Sequence, residues 1–430
     1  MGSVLGSCKG SCDQCLGSQS QVLPTSLTCT SRSRRSVAVR ESAGSVVTWG
    51  NGSYGGDSKA VAEQLKAGVV RISGSHGAFA AIKLNGSVVT WGWHSEGGDS
   101  AAVADQLTQG VVQVCGSQDD FAAVKADGSV VTWGGRGGSG GDSSAVAGQL
   151  TDGVVQLSST CLAFAALKAG GSVVTWGSDG HGGDGCSTSR RGVAEQLTEN
   201  VVQICGANGA FAALKVNGSV VSWGDWFNGG DVDDQIVAEQ LQEGVVEICG
   251  GGNAFAAIKA DGSVVTWGQK DHGGDSSAVA EQLKGGVVQI CGGRLAFAAI
   301  KADGSVVAWG NAERGGDSTA VAEKLRRGVV QVCTSDDAFA AIKDDGSVVT
   351  WGAAKQGGDS SVVAEQLKAG VVQICGSNFA FAALKIDGSV VAWGERENGG
   401  DSGDVAEQLT KGVVQICATS GAFAAIKVDG

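Results

Sequence analysis

The chain has 430 residues, with 72 Gly, 11 Trp and 11 Phe but one Pro, one Met and one Tyr, a bias that marks a unit copied many times. Its 31 basic and 44 acidic residues leave a net charge of −13, which argues against a surface that wraps a phosphate backbone. Uninterrupted apolar runs such as Ala254 to Ile258 are about five residues long, against the roughly 20 that a membrane-spanning helix needs, so neither nucleic acid nor a membrane is an expected partner.

Residues 1–43 differ in composition from the rest. They hold Cys8, Cys12, Cys15 and Cys29, the single Pro24, and five basic against two acidic residues, net +3. A mostly disordered segment is expected there. Cys8, Cys12 and Cys15 have some zinc-like spacing but no matching second pair, so no metal site is assigned. The odd total of 13 Cys and the lack of an apolar signal core point to reduced thiols and an intracellular place, cytoplasmic or nuclear.

From Gly44 to Gly430, a region of 26 basic and 42 acidic residues with net charge −16, Gly-Ser-Val-Val-Thr-Trp-Gly or a close variant recurs. Its Trp stands at Trp49, Trp91, Trp133, Trp176, Trp223, Trp267, Trp309, Trp351 and Trp393, mostly 42 residues apart. A fixed period of this size marks a solenoid or a propeller. Within the unit ending at Gly310, Val-Val-Gln-Ile-Cys, Ala-Phe-Ala-Ala-Ile-Lys and Ser-Val-Val-Ala-Trp read as three strands. The second and third form a hairpin through dipeptides such as Asp127-Gly128 and Asp303-Gly304, for which a two-residue type I′ turn is expected.

The remaining segment, Val-Ala-Glu-Gln-Leu, reads as a short helix or a short fourth strand. It closes on a residue that is Gly in eight units and Asn200 in the ninth, which predicts a left-handed backbone at that place. The fold class is therefore all-β, a β-propeller of about 42-residue repeats with nine units. A closed nine-bladed ring is favoured, the strand from Gly44 to Gly50 completing the last blade. Seven blades plus extra units, an open arc, or a chain cut from a longer one are the alternatives.

The order Val-Xaa-Gln-Ile-Cys-Gly, Phe-Ala-Ala-Ile-Lys-Ala-Asp-Gly-Ser-Val-Val-Thr-Trp-Gly and then Gly-Gly resembles the repeats of the regulator of chromosome condensation family. The resemblance covers about nine tenths of the chain. It implies a propeller, commonly of seven blades in that family. It also implies roles ranging from nucleotide exchange on a small GTPase to substrate recruitment by HECT-type ubiquitin ligases and scaffolding. Fold alone does not choose among these.

No catalytic residue is assigned, since His76, His94, His181 and His272 recur at no common repeat position. Gly-Gly-Asp occurs in every unit, and its Asp is read as a cap for backbone N–H groups rather than one ligand of a calcium ring. The Cys that ends seven of the Val-Val-Gln-Ile-Cys strands is read as a small core residue, because Ser73 and Ser158 replace it in the other two. No cofactor is expected.

The units differ from one another after Trp-Gly and after Val-Val-Gln-Ile-Cys, two places that strand parity puts on one face. The longer loops at Cys186 to Gly192 and Val232 to Ile236 fall there too. Trp93, Trp226, Phe227 and Phe379 lie on that face and are the candidate anchors for a protein partner. The expected function is a non-enzymatic protein-interaction scaffold. Nucleotide exchange on a small GTPase and a ubiquitin-ligase substrate module are the alternatives that the resemblance supplies.

Overall fold

The computed structural model describes residues 44–135, 139–184, 193–232 and 234–428. The segment expected at 1–43, with its Cys8, Cys12 and Cys15, lies outside these residues, as does the loop at Cys186 to Gly192. The described residues form nine three-stranded antiparallel sheets, each one repeat unit.

In a representative blade the inner strand is Val111–Gly116, the middle strand Asp120–Lys125 and the outer strand Val130–Gly134. The inner strand carries a bulge between Val111 and Gln113, and the hairpin pairs Phe121 with Trp133. The middle strand is buried on both faces. Ala78, Ala80 and Ile82 of one blade meet Phe121, Ala123 and Trp133 of the next, so the core of the molecule is a set of inter-blade layers. Alanines on one face of each middle strand leave room for the neighbour's Phe ring, which explains a strand that reads Phe-Ala-Ala rather than alternating with polar residues.

The Phe and Trp of each hairpin stack at 5.2 to 5.4 Å between ring centres in all nine blades. The Val-Ala-Glu-Gln-Leu segment is helical, not a fourth strand: Ala101–Leu107 is a 3-10 turn, and Gln235–Gln240 a short α-helix. Its Leu is buried in every blade, and the Leu150 carbonyl accepts the Val130 N–H, so the segment covers the free edge of the outer strand. The residue that closes it is left-handed in all nine units, including Asn200 at φ 66°.

The hairpin turn differs from expectation. Lys125 O accepts from Gly128 N–H, and Lys125 N–H donates to Ser129 O, a three-residue loop in which only the Gly has positive φ. This is a type I turn followed by a Gly bulge. Asp127 stays in the right-handed region because its Oδ1 accepts the Ser129 N–H and hydroxyl, a bonding pattern that holds the turn without a left-handed Asp.

The ring is closed and has nine blades. The strand Ser45–Gly50 pairs antiparallel with Ala422–Lys427, which in turn pairs with Val413–Ala418, so the first strand of the chain is the outer strand of the ninth blade. Each inner strand touches the inner strands of both neighbours, the ninth touching the first.

Candidate functional site: the loop face

Antiparallel order puts the end of each inner strand and the end of each outer strand on one face. They are tied there: Trp93 N–H donates to Gly77 O, Asp225 N–H to Gly209 O and Glu395 N–H to Phe379 O, and every other blade repeats the bond. The two variable places of each unit therefore meet. After Trp-Gly the chain makes one 3-10 turn in eight units and ends it on a left-handed Gly, as at Gly273, φ 94°.

That turn explains Gly-Gly-Asp. Its first Gly lies against the next blade's Phe, where a Cβ on Gly273 would come within 2.5 Å of the Phe297 ring. The same Gly presents its carbonyl to the next blade's Trp Nε1 at 2.9 to 3.2 Å, at all nine junctions. The Asp accepts the N–H two residues on, as Asp275 does from Ser277 at 2.9 Å. That bond holds the Asp275 carboxyl below the usual range. The repeated Trp are thus buried ties between blades.

Near the axis a second ring of bonds runs from blade to blade. His76 N–H donates to Gln118 O, Gln118 to Cys161, Cys161 to Asn208, Asn208 to Gly252, Gly252 to Gly293, Arg294 to Asp336, Asp336 to Asn378, Asn378 to Ser420, and Ser420 back to His76, at 2.7 to 3.3 Å. Backbone alone makes this ring, which leaves its side chains at liberty to differ from unit to unit. Cys161 is disulfide-bonded, a departure from the expectation of reduced thiols. Cys115, Cys205, Cys291, Cys333, Cys375 and Cys417 are buried where the inner strands end.

The four candidate anchors are not one patch. Trp93 stands in the first blade, 45% exposed, against the edge of Tyr54 at 5.9 Å. Trp226 and Phe227 adjoin in the fourth blade, 70% and 45% exposed, with ring centres 5.8 Å apart. Phe379, in the eighth blade, is half-buried rather than exposed. Only Trp226 and Phe227 are brought together, and they wall a groove of about 600 Å³ beside the outer strand of the fifth blade.

Two features escaped the sequence reading. At the closing seam Tyr54 of the ninth blade packs edge-on to His76 of the first, whose Nδ1 lies 3.0 Å from Glu96 Oε2, both side chains being largely buried. Burial first, then Glu96, pushes the Tyr54 hydroxyl up, and the same pair of causes pushes up Asp119 in the second blade. The signal was present: Tyr54 is the single Tyr and sits in a variable turn.

The other feature is Asp120, fully buried and pushed up to about 6 chiefly by its burial. It replaces the Ala that starts every other middle strand, and an alignment of the units displays it. Among the described residues no three His, Cys, Asp or Glu gather as metal ligands, and no helix is long and apolar enough to cross a membrane.

No family model and no curated protein matches the chain. Among solved structures, yeast RCC1 (Prp20) bound to Kap60 is 14% identical with TM-score 0.45, covering 96% of this chain and 96% of that one. Prp20p from Saccharomyces cerevisiae is 15% identical with TM-score 0.43, covering 90% and 92%. The computationally designed Ika8 protein is 13% identical with TM-score 0.35, covering 74% and 96%. Likenesses of this depth carry nothing about activity or partner. The nine strand triplets and their recurrent motifs make the chain a β-propeller of repeats that resemble those of the regulator of chromosome condensation family.

Proposed function

We propose that the chain is a non-enzymatic protein-interaction scaffold whose loop face binds a protein partner. One observation carries this reading. The nine repeated Trp are buried, whereas Trp93 and Trp226, the two Trp outside the repeat motif, stand 45% and 70% exposed on the face where the units diverge. A buried Trp is explained by the ring. An exposed one, in a turn whose backbone is fixed by the blade, presents a large contact area with little conformational entropy to lose.

The test is affinity capture with the intact protein and with a variant carrying Trp93→Ser, Trp226→Ser, Phe227→Ser and Phe379→Ser, followed by hydrogen exchange on any complex formed. The expected result is a protein retained by the intact chain alone, with protection confined to the turns after Trp-Gly. Equal retention by both proteins, or protection on the hairpin-turn face, removes the loop face as the binding surface.

A further inference from the structure

The fourth unit departs from the other copies in two adjoining places. Trp226 and Phe227 occupy turn positions held elsewhere by small or polar residues, such as Gly52 and Ser53, Lys270 and Asp271, or Arg396 and Glu397. The step from Trp223 to Trp267 is 44 residues rather than 42, the extra length falling between Asp231 and Val237. It gives this unit a six-residue α-helix, Gln235–Gln240, where the same segment in six other units is 3-10 alone. Asp234 Oδ1 caps it, accepting the Ile236 and Val237 N–H groups at 2.8 and 3.2 Å. The cap sets Ile236 out into solvent, 67% exposed.

The aromatic pair is equally fixed. Asp225 Oδ1 accepts the Phe227 N–H at 2.9 Å, Asn228 Nδ2 donates to Asp225 Oδ2, and Gly229 closes the turn at φ 87°. Two neighbouring devices thus hold Trp226, Phe227 and Ile236 outward. The groove beside them is lined by Val232, Val237 and the outer strand of the fifth blade.

Charge selects the occupant. Among the described residues, the ionisable ones that line the groove are Asp231, Asp234 and Asp275 against Lys270. Asp275 is held ionised by the Ser277 backbone N–H. A carboxylate-edged groove repels nucleic acid and acidic peptides and attracts cations, while an exposed indole offers its face to an ammonium or guanidinium. At about 600 Å³ the groove has room for a few side chains and not for a folded domain.

We propose that this groove between the fourth and fifth blades docks an extended basic peptide of a partner protein, a Lys or Arg side chain lying on Trp226 and an aliphatic neighbour entering the groove. The proposal rests on the loop-face reading and adds the chemistry of the partner and its place on the ring.

The test uses the full chain and a fluorescein-labelled ten-residue peptide alternating Arg or Lys with Leu, read by anisotropy, beside the same peptide with Glu for each basic residue. Saturable binding of the basic peptide alone is expected. Trp226→Ser with Phe227→Ser should weaken it by about tenfold or more, since paired aromatic anchors dominate such contacts. Asp231→Asn with Asp234→Asn and Asp275→Asn should weaken it severalfold and flatten its salt dependence; Asn still caps the helix, and circular dichroism confirms the fold. Trp93→Ser, three blades away, should leave it unchanged.

Binding that survives Trp226→Ser with Phe227→Ser is general attraction to an acidic protein and overturns the proposal. So does equal binding of the acidic peptide, or no saturation by either. A partner still retained on the loop face by Trp93 or Phe379, with no peptide bound in the groove, would overturn this inference and leave the scaffold reading standing.

Discussion

At the residue scale, Asp120 is the largest local departure from the repeat. Eight blades start the middle strand with Ala, and here a carboxylate sits fully buried at that place. Ser139 Oγ donates to its Oδ1 at 3.0 Å, Ser117 Oγ lies 3.4 Å from Oδ2, and a Cβ on Gly135 would meet Oδ1 at 2.2 Å, so the glycine-rich turn has made room for the charge. Burial outweighs these bonds and raises its pKa to about 6. A carboxyl whose folded pKa is raised contributes stability that is fully present below its unfolded value and lost as pH rises through the folded one. Asp120→Ala is therefore expected to match the parent near pH 4 and to exceed it by roughly 2 to 3 kcal/mol at pH 7, since each tenfold change in proton affinity is worth about 1.4 kcal/mol. Urea unfolding of both proteins across that range checks it. A difference independent of pH would mean that the Asp120 carboxyl has the same pKa in the folded and the unfolded chain.

At the element scale, the turn after Trp-Gly holds the blades together, and its glycines are not equivalent to those elsewhere in the unit. Gly273 has φ 94°, lies against Phe297 and presents its carbonyl to Trp309, whereas a Cβ on Gly285 would meet only Asp261 O, at an ordinary 3.5 Å. Gly273→Ala is expected to lower stability by about 2 to 4 kcal/mol, left-handed strain adding to a clash that one more methyl group cannot avoid. Gly285→Ala is expected to change it by about 0.5 kcal/mol or less. The two denaturant midpoints decide, and equal shifts would refute this account of Gly-Gly-Asp. The turn was legible as a motif but not as a mechanism, because its partners, Phe297 and Trp309, stand 24 and 36 residues further along the chain, in the next blade. Asp-Gly misled in detail for a local reason: Asp side chains satisfy the turn backbone in more than one geometry, and composition does not separate them. The helical state of Val-Ala-Glu-Gln-Leu was undecidable from five residues, since one buried Leu fits either a strand or a helical turn.

At the scale of the whole molecule, the period fixed the unit and the parity of the strands fixed the face, while the grouping of the anchors needed the ring. Trp93, Trp226 and Phe379 share a face by parity, yet the blade order sets them on the first, fourth and eighth blades. The closed ring brings the two ends of the repeat region into one hairpin. Ser45 stands opposite Lys427 in the ninth blade, as each outer strand stands opposite its own hairpin partner. The sequence Lys427-Val428-Asp429-Gly430 followed by Ser45 reproduces the Lys-Ala-Asp-Gly-Ser of the other hairpins, as in Lys301 to Ser305. Fusing Gly430 directly to Ser45, with the chain opened at Asp303-Gly304, is therefore expected to give a monomer of unchanged fold without any added linker. Removing residues 1–50 instead leaves the Ala422–Lys427 strand as an unpaired edge, and that protein is expected to self-associate in light scattering as its concentration rises. A synthetic peptide spanning Gly44 to Tyr54 should return it to a monomer by supplying the missing strand. If the shortened protein stays monomeric and as stable as the parent, the ninth blade does not depend on the first strand, and the ring is not held closed in this way.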